Sequence, residues 1–252
     1  MKLFRKAILI VHGFAGGVYD QEYLQHQLEL INNYDVYSFT LPGHDGDTSK
    51  KITYESWVNR AEEMVEFLIL NGYDNIYVVG HSMGGVIAAY LASKYYEIKK
   101  VVLVAPAFRY VSHEEGHLSV INAVKNGTKV LETYGAKMIA NRMTKLPANA
   151  VPEFMKLVKK YQDCVNNISK PILLIRGTKD DIVPMQSINH VYDNVKSKYK
   201  KIILLKDTTH DVFRENKKEE VTKYIIKFFK NKYSMDLFPE LIEKDSIKKW
   251  KY

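Results

Sequence analysis

The pentapeptide Gly80-His81-Ser82-Met83-Gly84 fits the pattern G-x-S-x-G, a spacing that can make a nucleophile of an ordinary hydroxyl. Its surroundings carry more weight than the match. Ile76-Tyr77-Val78-Val79 has the character of a buried strand, and residues 86–92 open a helix, so Ser82 falls at a strand-to-helix turn. Such a turn strains the backbone and exposes the hydroxyl, while the flanking glycines let helix and strand approach where a Cβ would clash. The competing reading is a glycine-rich turn that holds phosphate at a helix N-terminus. It lacks support, because the sequence has neither a P-loop lysine nor a G-x-G-x-x-G pattern here.

A serine hydroxyl needs an adjacent base and a third group to orient that base. Of the eight histidines, His26, His113, His117 and His190 read as structural or exposed. His12, His44 and His81 fall in motif loops and are expected to line the site. His210 follows an apolar run, residues 202–205, through Lys206-Asp207-Thr208-Thr209, and is the expected base. The orienting carboxylate is sought in Gly177-Thr178-Lys179-Asp180-Asp181-Ile182-Val183-Pro184, where Asp180 and Asp181 compete. Asp180 is favoured because Ile182 and Val183 then anchor the loop behind it. Asp207 and Asp211 would have to fold back to reach the imidazole, and read as surface or hydrogen-bonding residues. A tetrahedral oxyanion also needs two backbone donors. Met83, directly after the serine, supplies one; the loop His12-Gly13-Phe14-Ala15-Gly16-Gly17 supplies the other through the Phe14 N–H.

The elements that must position these groups follow from hydrophobic patterning. Short apolar runs at residues 7–11, 36–40, 76–79, 101–104, 172–175 and 202–205 alternate with helical patterns at 23–31, 54–70, 84–95, 185–195 and 219–229. That alternation predicts an α/β fold with a mostly parallel sheet and helices on both faces. Residues 108–169 break the rhythm. They carry helical spacing (Val151, Phe154, Leu157, Val158, Tyr161, Val165) rather than a single crossover. The expectation is a core of residues 1–107 and 170–252 with a helical cap, 108–169, inserted at the carboxyl edge of the sheet, where ligands bind in open α/β folds.

Composition narrows the function classes. The chain has 252 residues, 46% of them hydrophobic and 26% charged, enough for one large domain. No apolar run approaches the roughly 18 residues of a membrane span. The apolar run at residues 7–11 is too short for a secretory h-region of about 7–15 residues. The single cysteine, Cys164, forms no internal disulfide, and no Cys/His cluster has zinc spacing. A cytoplasmic protein is expected. The net charge of +8 comes mainly from lysines toward the C-terminus. They alternate with Glu219, Glu220, Glu240 and Glu243, which describes a solvated face rather than a nucleic-acid surface.

Together, His12-Gly13-Phe14, Gly80-His81-Ser82-Met83-Gly84, Gly177 with residues 180–184, and His210 resemble the α/β-hydrolase family over nearly the whole chain. Within it they resemble small bacterial carboxylesterases and monoacylglycerol lipases with a compact helical cap. Leu41-Pro42-Gly43-His44 also resembles the loop after the family's next strand. The resemblance implies hydrolysis of carboxylic esters by Ser82, His210 and Asp180, with the N–H groups of Phe14 and Met83 as the oxyanion hole. It implies a small acyl-ester substrate and no metal or organic cofactor. Two departures stand out. The family's two leading antiparallel strands are missing, so one sheet edge is expected to be shortened, with residues 235–252 covering what is exposed. Thr208-Thr209 also replaces the Ser-Gly common before the histidine.

Substrate contacts are expected from His12, Gly13, His81, Ile182 and the cap residues Phe108, Tyr110, Tyr134 and Met138. With Leu131, Ile139 and Met143, the cap residues serve equally well as the cap's own packing core. Glu114 and Glu115 leave room for a peptide-amine site, as in the family's iminopeptidases. Leu237, Phe238, Leu241, Ile242 and Trp250 read either as a membrane-surface contact or as packing against the parent domain; no stable membrane insertion is expected. Three alternatives remain beside the esterase: a thioesterase, a carbon–carbon bond hydrolase with the same triad, or a ligand sensor with little turnover. Neither the oligomeric state nor the physiological ester is encoded legibly.

Overall fold

The computed structural model describes residues 5–49, 51–108, 142, 144–214 and 216–231. Six parallel strands form one sheet: β1 (Lys6–Val11), β2 (Tyr34–Ser38), β3 (Ile76–His81), β4 (Ile98–Val104), β5 (Ile172–Gly177) and β6 (Lys200–Leu205). Their spatial order is β2-β1-β3-β4-β5-β6. The helices are α1 (Glu22–Glu29), α2 (Tyr54–Leu70), α3 (Met83–Lys94), α4 (Ala150–Tyr161), α5 (Met185–Asn194) and α6 (Lys218–Lys230). The expected fold class is therefore the one observed. Among the described residues no helix is long and apolar enough to cross a membrane.

Strand residues alternate between two cores because successive side chains leave opposite faces of a sheet. Leu9, Val78, Val101, Leu103 and Leu174 share one core with Trp57 of α2, Val86 of α3, Leu157 of α4 and Ile188 of α5. Ile8, Ile10, Val79, Val102 and Leu173 share the other with Leu24 and Leu28 of α1 and Ile225 and Phe228 of α6. Both faces are covered, which is why the strands are apolar runs and not half-polar ones.

Helix α3 differs from the rest. Apart from Tyr90, Ser93 and Lys94 it is buried throughout, from Met83 to Ala92, beneath the sheet centre. Thr53 caps the N-terminus of α2, its hydroxyl accepting the Ser56 N–H at 3.2 Å, a cap worth about 1 kcal/mol. At the far end of the sheet Lys100 is buried, and its ammonium donates to the carbonyls of Phe228, Phe229 and Asn231 at 2.7, 3.1 and 2.5 Å. It thereby satisfies carbonyls that the C-terminus of α6 leaves unpaired.

The described part of the segment between β4 and β5 includes α4 and a 3-10 turn (Cys164–Asn167). Ala150, Phe154, Leu157 and Val158 of α4 join the core shared with α2 and α3. Tyr110, Leu131, Tyr134, Met138, Ile139, Met143, Glu114, Glu115 and the tail 235–252 lie outside the described residues.

Because all six strands run the same way, their carboxyl ends share one edge. The strand order reverses direction around β1 and β3, and a crevice at such a switch point is where open α/β sheets bind ligands. The loops after β1, β3, β5 and β6 carry the candidate groups to that edge.

Candidate active site

Ser82 sits directly after β3 with φ 54° and ψ −116°, a left-handed region that costs a non-glycine residue on the order of 1–3 kcal/mol. The turn is over-determined. The Ser82 N–H donates to the Val104 carbonyl at 2.9 Å, and the Ser82 carbonyl accepts from Gly85 and Ala107 at 3.0 and 3.1 Å. Close packing explains its glycines: a Cβ on Gly84 would lie 2.3 Å from the Val11 carbonyl oxygen, and one on Gly80 would lie 2.2 Å from that of Gly84. The loop after β1 passes against the serine, since a Cβ on Gly13 would fall 3.1 Å from the Ser82 Cβ. Among the described residues, neither the Phe14 N–H nor the Met83 N–H donates to a turn, loop or cap carbonyl.

His210 and Asp180 meet behind this turn, 3.0 Å apart from Nδ1 to Oδ2. Both are more than nine-tenths buried. The other carboxylate oxygen of Asp180 accepts the N–H groups of Ile182 and Val183 at 3.0 and 2.9 Å, which is the anchoring expected from the sequence. Asp180, and not Asp181, faces the imidazole. Burial pushes the Asp180 carboxyl up, but His210, Arg176 and the Val183 N–H outweigh it and hold it below the usual carboxylate range. Burial pulls the imidazole of His210 down, yet the charge and hydrogen bond of Asp180, helped by Asp211 and Asp181, lift it above the ordinary value.

The carboxylate loop depends on Arg176, a residue the sequence reading passed over. Its buried guanidinium donates to the carbonyls of Gly177, Asp180 and Val183 at 2.8, 2.7 and 2.9–3.0 Å. The available signal was an arginine ending the otherwise apolar run of β5. The β5 and β6 loops also touch directly, for a Cβ on Gly177 would lie 2.1 Å from the Thr208 carbonyl oxygen.

One cavity opens over these groups. It is lined by Gly13, Phe14, Gly16, Asp20, His81, Ser82, Arg142, Phe154, Ile182, His210 and Asp211. Gly13, His81 and Ile182, expected as substrate contacts, are among its lining residues. His81 lies alongside His210, ring centroids 4.9 Å apart, with its Nε2 3.1 Å from the His210 carbonyl oxygen. Burial and the neighbouring His210 push its pKa down to about 4.

Two expected contacts lie away from this lining. His12 is buried behind the loop: its Nδ1 lies 2.9 Å from the Gly13 carbonyl oxygen and its Nε2 accepts the Leu41 N–H at 3.0 Å. Both nitrogens are spent on backbone, so His12 shapes the Phe14 loop and does not face the cavity. Phe108 is also absent from the lining. Its ring packs in the core beside His190, centroids 5.9 Å apart, and its N–H donates to the Ser187 hydroxyl at 2.8 Å. Asp211, expected to be surface or hydrogen-bonding, lines the cavity, whereas exposed Asp207 pairs with Lys179 at 3.0 Å.

The sequence reading missed Asp20, Arg142 and Phe154 at the cavity wall. Phe154 stacks on Phe14 with centroids 5.0 Å apart. Nothing in local spacing singles out these three, because their partners come from distant loops.

Known proteins share this arrangement of elements. Residues 6–149, more than half of the chain, match the family model described as the alpha/beta hydrolase fold, and residues 118–217 match one described as serine aminopeptidase, S33. A carboxylesterase of Bacillus subtilis (strain 168) is 24% identical over 229 residues, covering 88% of this chain and 92% of its own. A thermostable monoacylglycerol lipase of Bacillus sp. (strain H-257) is 24% identical over 216 residues, covering 81% and 82%. A metagenome-derived lipolytic enzyme superposes with a TM-score of 0.70 at 20% identity, covering 89% of this chain and 93% of its own; that likeness speaks to fold alone. On the family match and the sheet that carries it, this chain belongs to the α/β-hydrolase fold family.

Proposed function

We propose that the chain is a serine hydrolase that cleaves carboxylic esters with short-to-medium acyl chains or monoacylglycerols, using Ser82, His210 and Asp180. The observation that carries this reading is the buried His210–Asp180 contact at 3.0 Å, with His210 and Ser82 lining one cavity. The esterase and lipase relatives support the choice of ester chemistry.

In the cycle, His210 takes the Ser82 proton as the hydroxyl oxygen bonds to the ester carbonyl carbon. Asp180 holds the imidazole in the useful tautomer and stabilises its charged form. The N–H groups of Phe14 and Met83 receive the oxyanion, each worth about 3–4 kcal/mol at the transition state. Collapse breaks the bond to the alcohol oxygen, which takes the proton from His210. Water then attacks the acyl-enzyme, gives its proton to His210 and releases the acid, and the proton returns to Ser82. The acyl group lies against the stacked rings of Phe14 and Phe154 at the cavity wall.

A fluorophosphonate probe should label the protein once, at Ser82, as mapped by mass spectrometry. A chain-length series of p-nitrophenyl esters should show a turnover optimum that Ser82→Ala abolishes. An adduct on any other residue overturns the nucleophile. Indifference to oxygen esters with cleavage of acyl-thioesters would reassign the reaction to a thioesterase, and binding without product release would make the protein a sensor.

A further inference from the structure

The loop that carries the Phe14 N–H is braced by one side chain. Residues 13–16 form a turn closed by the Gly16 N–H, which donates to the Gly13 carbonyl at 3.1 Å. Ala15 sits inside it at φ 57°, a left-handed conformation that alanine holds only where its surroundings over-determine it. The 3-10 turn Val18–Gln21 follows at once, and its Asp20 reaches back. One carboxylate oxygen accepts the Gly17 N–H at 3.0 Å. The same oxygen fills the space beside Gly16, where a Cβ would lie 2.4 Å from it.

A cap of this kind is ordinary at a surface, where water meets the remaining lone pairs. Asp20 is instead buried at the cavity wall, and two arginines from distant segments converge on it. Arg142 brings its two terminal nitrogens to 3.3 and 3.2 Å, one to each carboxylate oxygen. Arg214, on the loop that follows His210, brings its Nε to 2.8 Å. The ring of Tyr19, the preceding residue, lies 6.0 and 5.3 Å from the same two guanidinium groups. Burying a charge is costly unless it is paired, and a cap alone requires no burial. The ion pairs fix the carboxylate between three segments, and the carboxylate fixes the strained loop.

We propose that Asp20 is a positioning residue for the oxyanion hole: pinned by Arg142 and Arg214, it holds Gly16 and Gly17 so that the Phe14 N–H faces the cavity. Within the esterase reading, on which this inference rests, that donor matters only once charge develops on the carbonyl oxygen. Loss of Asp20 therefore lowers kcat and leaves KM nearly unchanged.

The test reads p-nitrophenyl hexanoate turnover by the full chain, per Ser82 labelled by a fluorophosphonate at end point, so that misfolded protein is not counted. Outright loss of one oxyanion donor costs about a hundredfold to a thousandfold in kcat. A displaced donor in Asp20→Ala should then cost at least about tenfold, with KM within about twofold of wild type. A hexyl trifluoromethyl ketone gives a second readout. The Ser82 oxygen bonds to its carbonyl carbon, the hydroxyl proton passes to His210, and the negative charge moves to the former carbonyl oxygen in the hole. Its inhibition constant should rise by the factor by which kcat falls. Asp20→Asn, which keeps an acceptor for the Gly17 N–H, should recover part of the loss. Gly16→Ala, which sets a methyl group against the carboxylate, should reproduce the Asp20→Ala pattern, and it decides alone if Asp20→Ala fails to fold. The acid limb of kcat/KM should stay at its wild-type position, because the carboxylates that raise His210 are Asp180, Asp211 and Asp181. Unchanged kcat in folded Asp20→Ala, with only its melting temperature lowered, overturns the proposal and leaves the esterase reading intact. A displaced acid limb also overturns it, since Asp20 would then act through Arg214 on the His210 loop. If wild type cleaves no ester and Ser82 takes no fluorophosphonate, the esterase reading fails and this role with it.

Discussion

At the β1–β2 corner of the carboxyl edge, His12 and His44 lie with ring centroids 5.1 Å apart, and Phe14 and Trp57 flank His44. Burial pushes their pKa values down to about 4 and about 3. At the β5–β6 corner His210 is just as buried, yet its pKa stands above the ordinary imidazole value. Depth is therefore not what separates them. His12 and His44 meet backbone oxygens and one another, which cannot repay the desolvation of a charge, whereas His210 meets a carboxylate that can. His81 makes the same point at closer range: tilted beside His210, it falls to about 4 under burial and its neighbour's charge, which Asp211 and Asp20 only partly offset. The first corner thus holds neutral struts, and the second an imidazole that keeps its proton, as the proposed base would need.

The sharpest way to break this contrast is to remove each imidazole in turn. His210→Ala should lower ester turnover by roughly a millionfold, as loss of a triad base does. Asp180→Asn should cost about ten-thousandfold and move the acid limb of kcat/KM to lower pH. In wild type that limb should lie above the usual imidazole value of 6.5, because only neutral His210 accepts a proton. A limb below it would remove the ascribed role of Asp180.

Stability should divide the corners again, with opposite signs. His12, His44 and His81 bind protons more weakly folded than unfolded. Their contribution is complete above about pH 6.5 and is lost on acidification toward pH 4 and below, by up to about 3 kcal/mol for each residue whose pKa falls to about 4. His210 binds its proton more tightly when folded, so its contribution is full below pH 6.5 and fades as pH rises through its raised value. Denaturant titrations between pH 4 and 8 should show net acid lability, and His210→Gln should steepen it. The smallest effect concerns a single strut. His12→Leu leaves the Leu41 N–H without its acceptor and should cost about 1–3 kcal/mol in unfolding free energy, with Ser82 still labelled by a fluorophosphonate.

Much of the framework is legible because it is written locally. Helix α2 runs from Tyr54 to Leu70 as its apolar spacing predicts, and the serine turn follows from glycines at fixed offsets. The β2 bounds were legible only in part. The apolar pattern suggests residues 36–40, but the strand is Tyr34–Ser38. Its ladder with β1 ends at Ile10 and Ser38, after which the His12 side chain, and not a strand carbonyl, accepts the Leu41 N–H. Asp180 was legible through its loop; Arg176, Asp20 and Arg142 were not. Their worth lies in partners brought together by the fold, such as the pairing of Asp20 with Arg142 and with Arg214 across three segments. His12 and Phe108, expected at the substrate, lie outside the cavity lining for the same reason: sequence marks the loop but not which way a side chain turns within it.

The guanidinium of Arg176, bonded to three carbonyls of the loop beneath Asp180, keeps its charge across the range in which carboxylates and imidazoles titrate. The carboxylate's perch therefore has no acid–base trigger of its own. On the proposed mechanism, acidification by about one pH unit below neutrality should stop turnover by loading the imidazole while the ledge beneath it stays seated, so activity should return promptly at neutral pH.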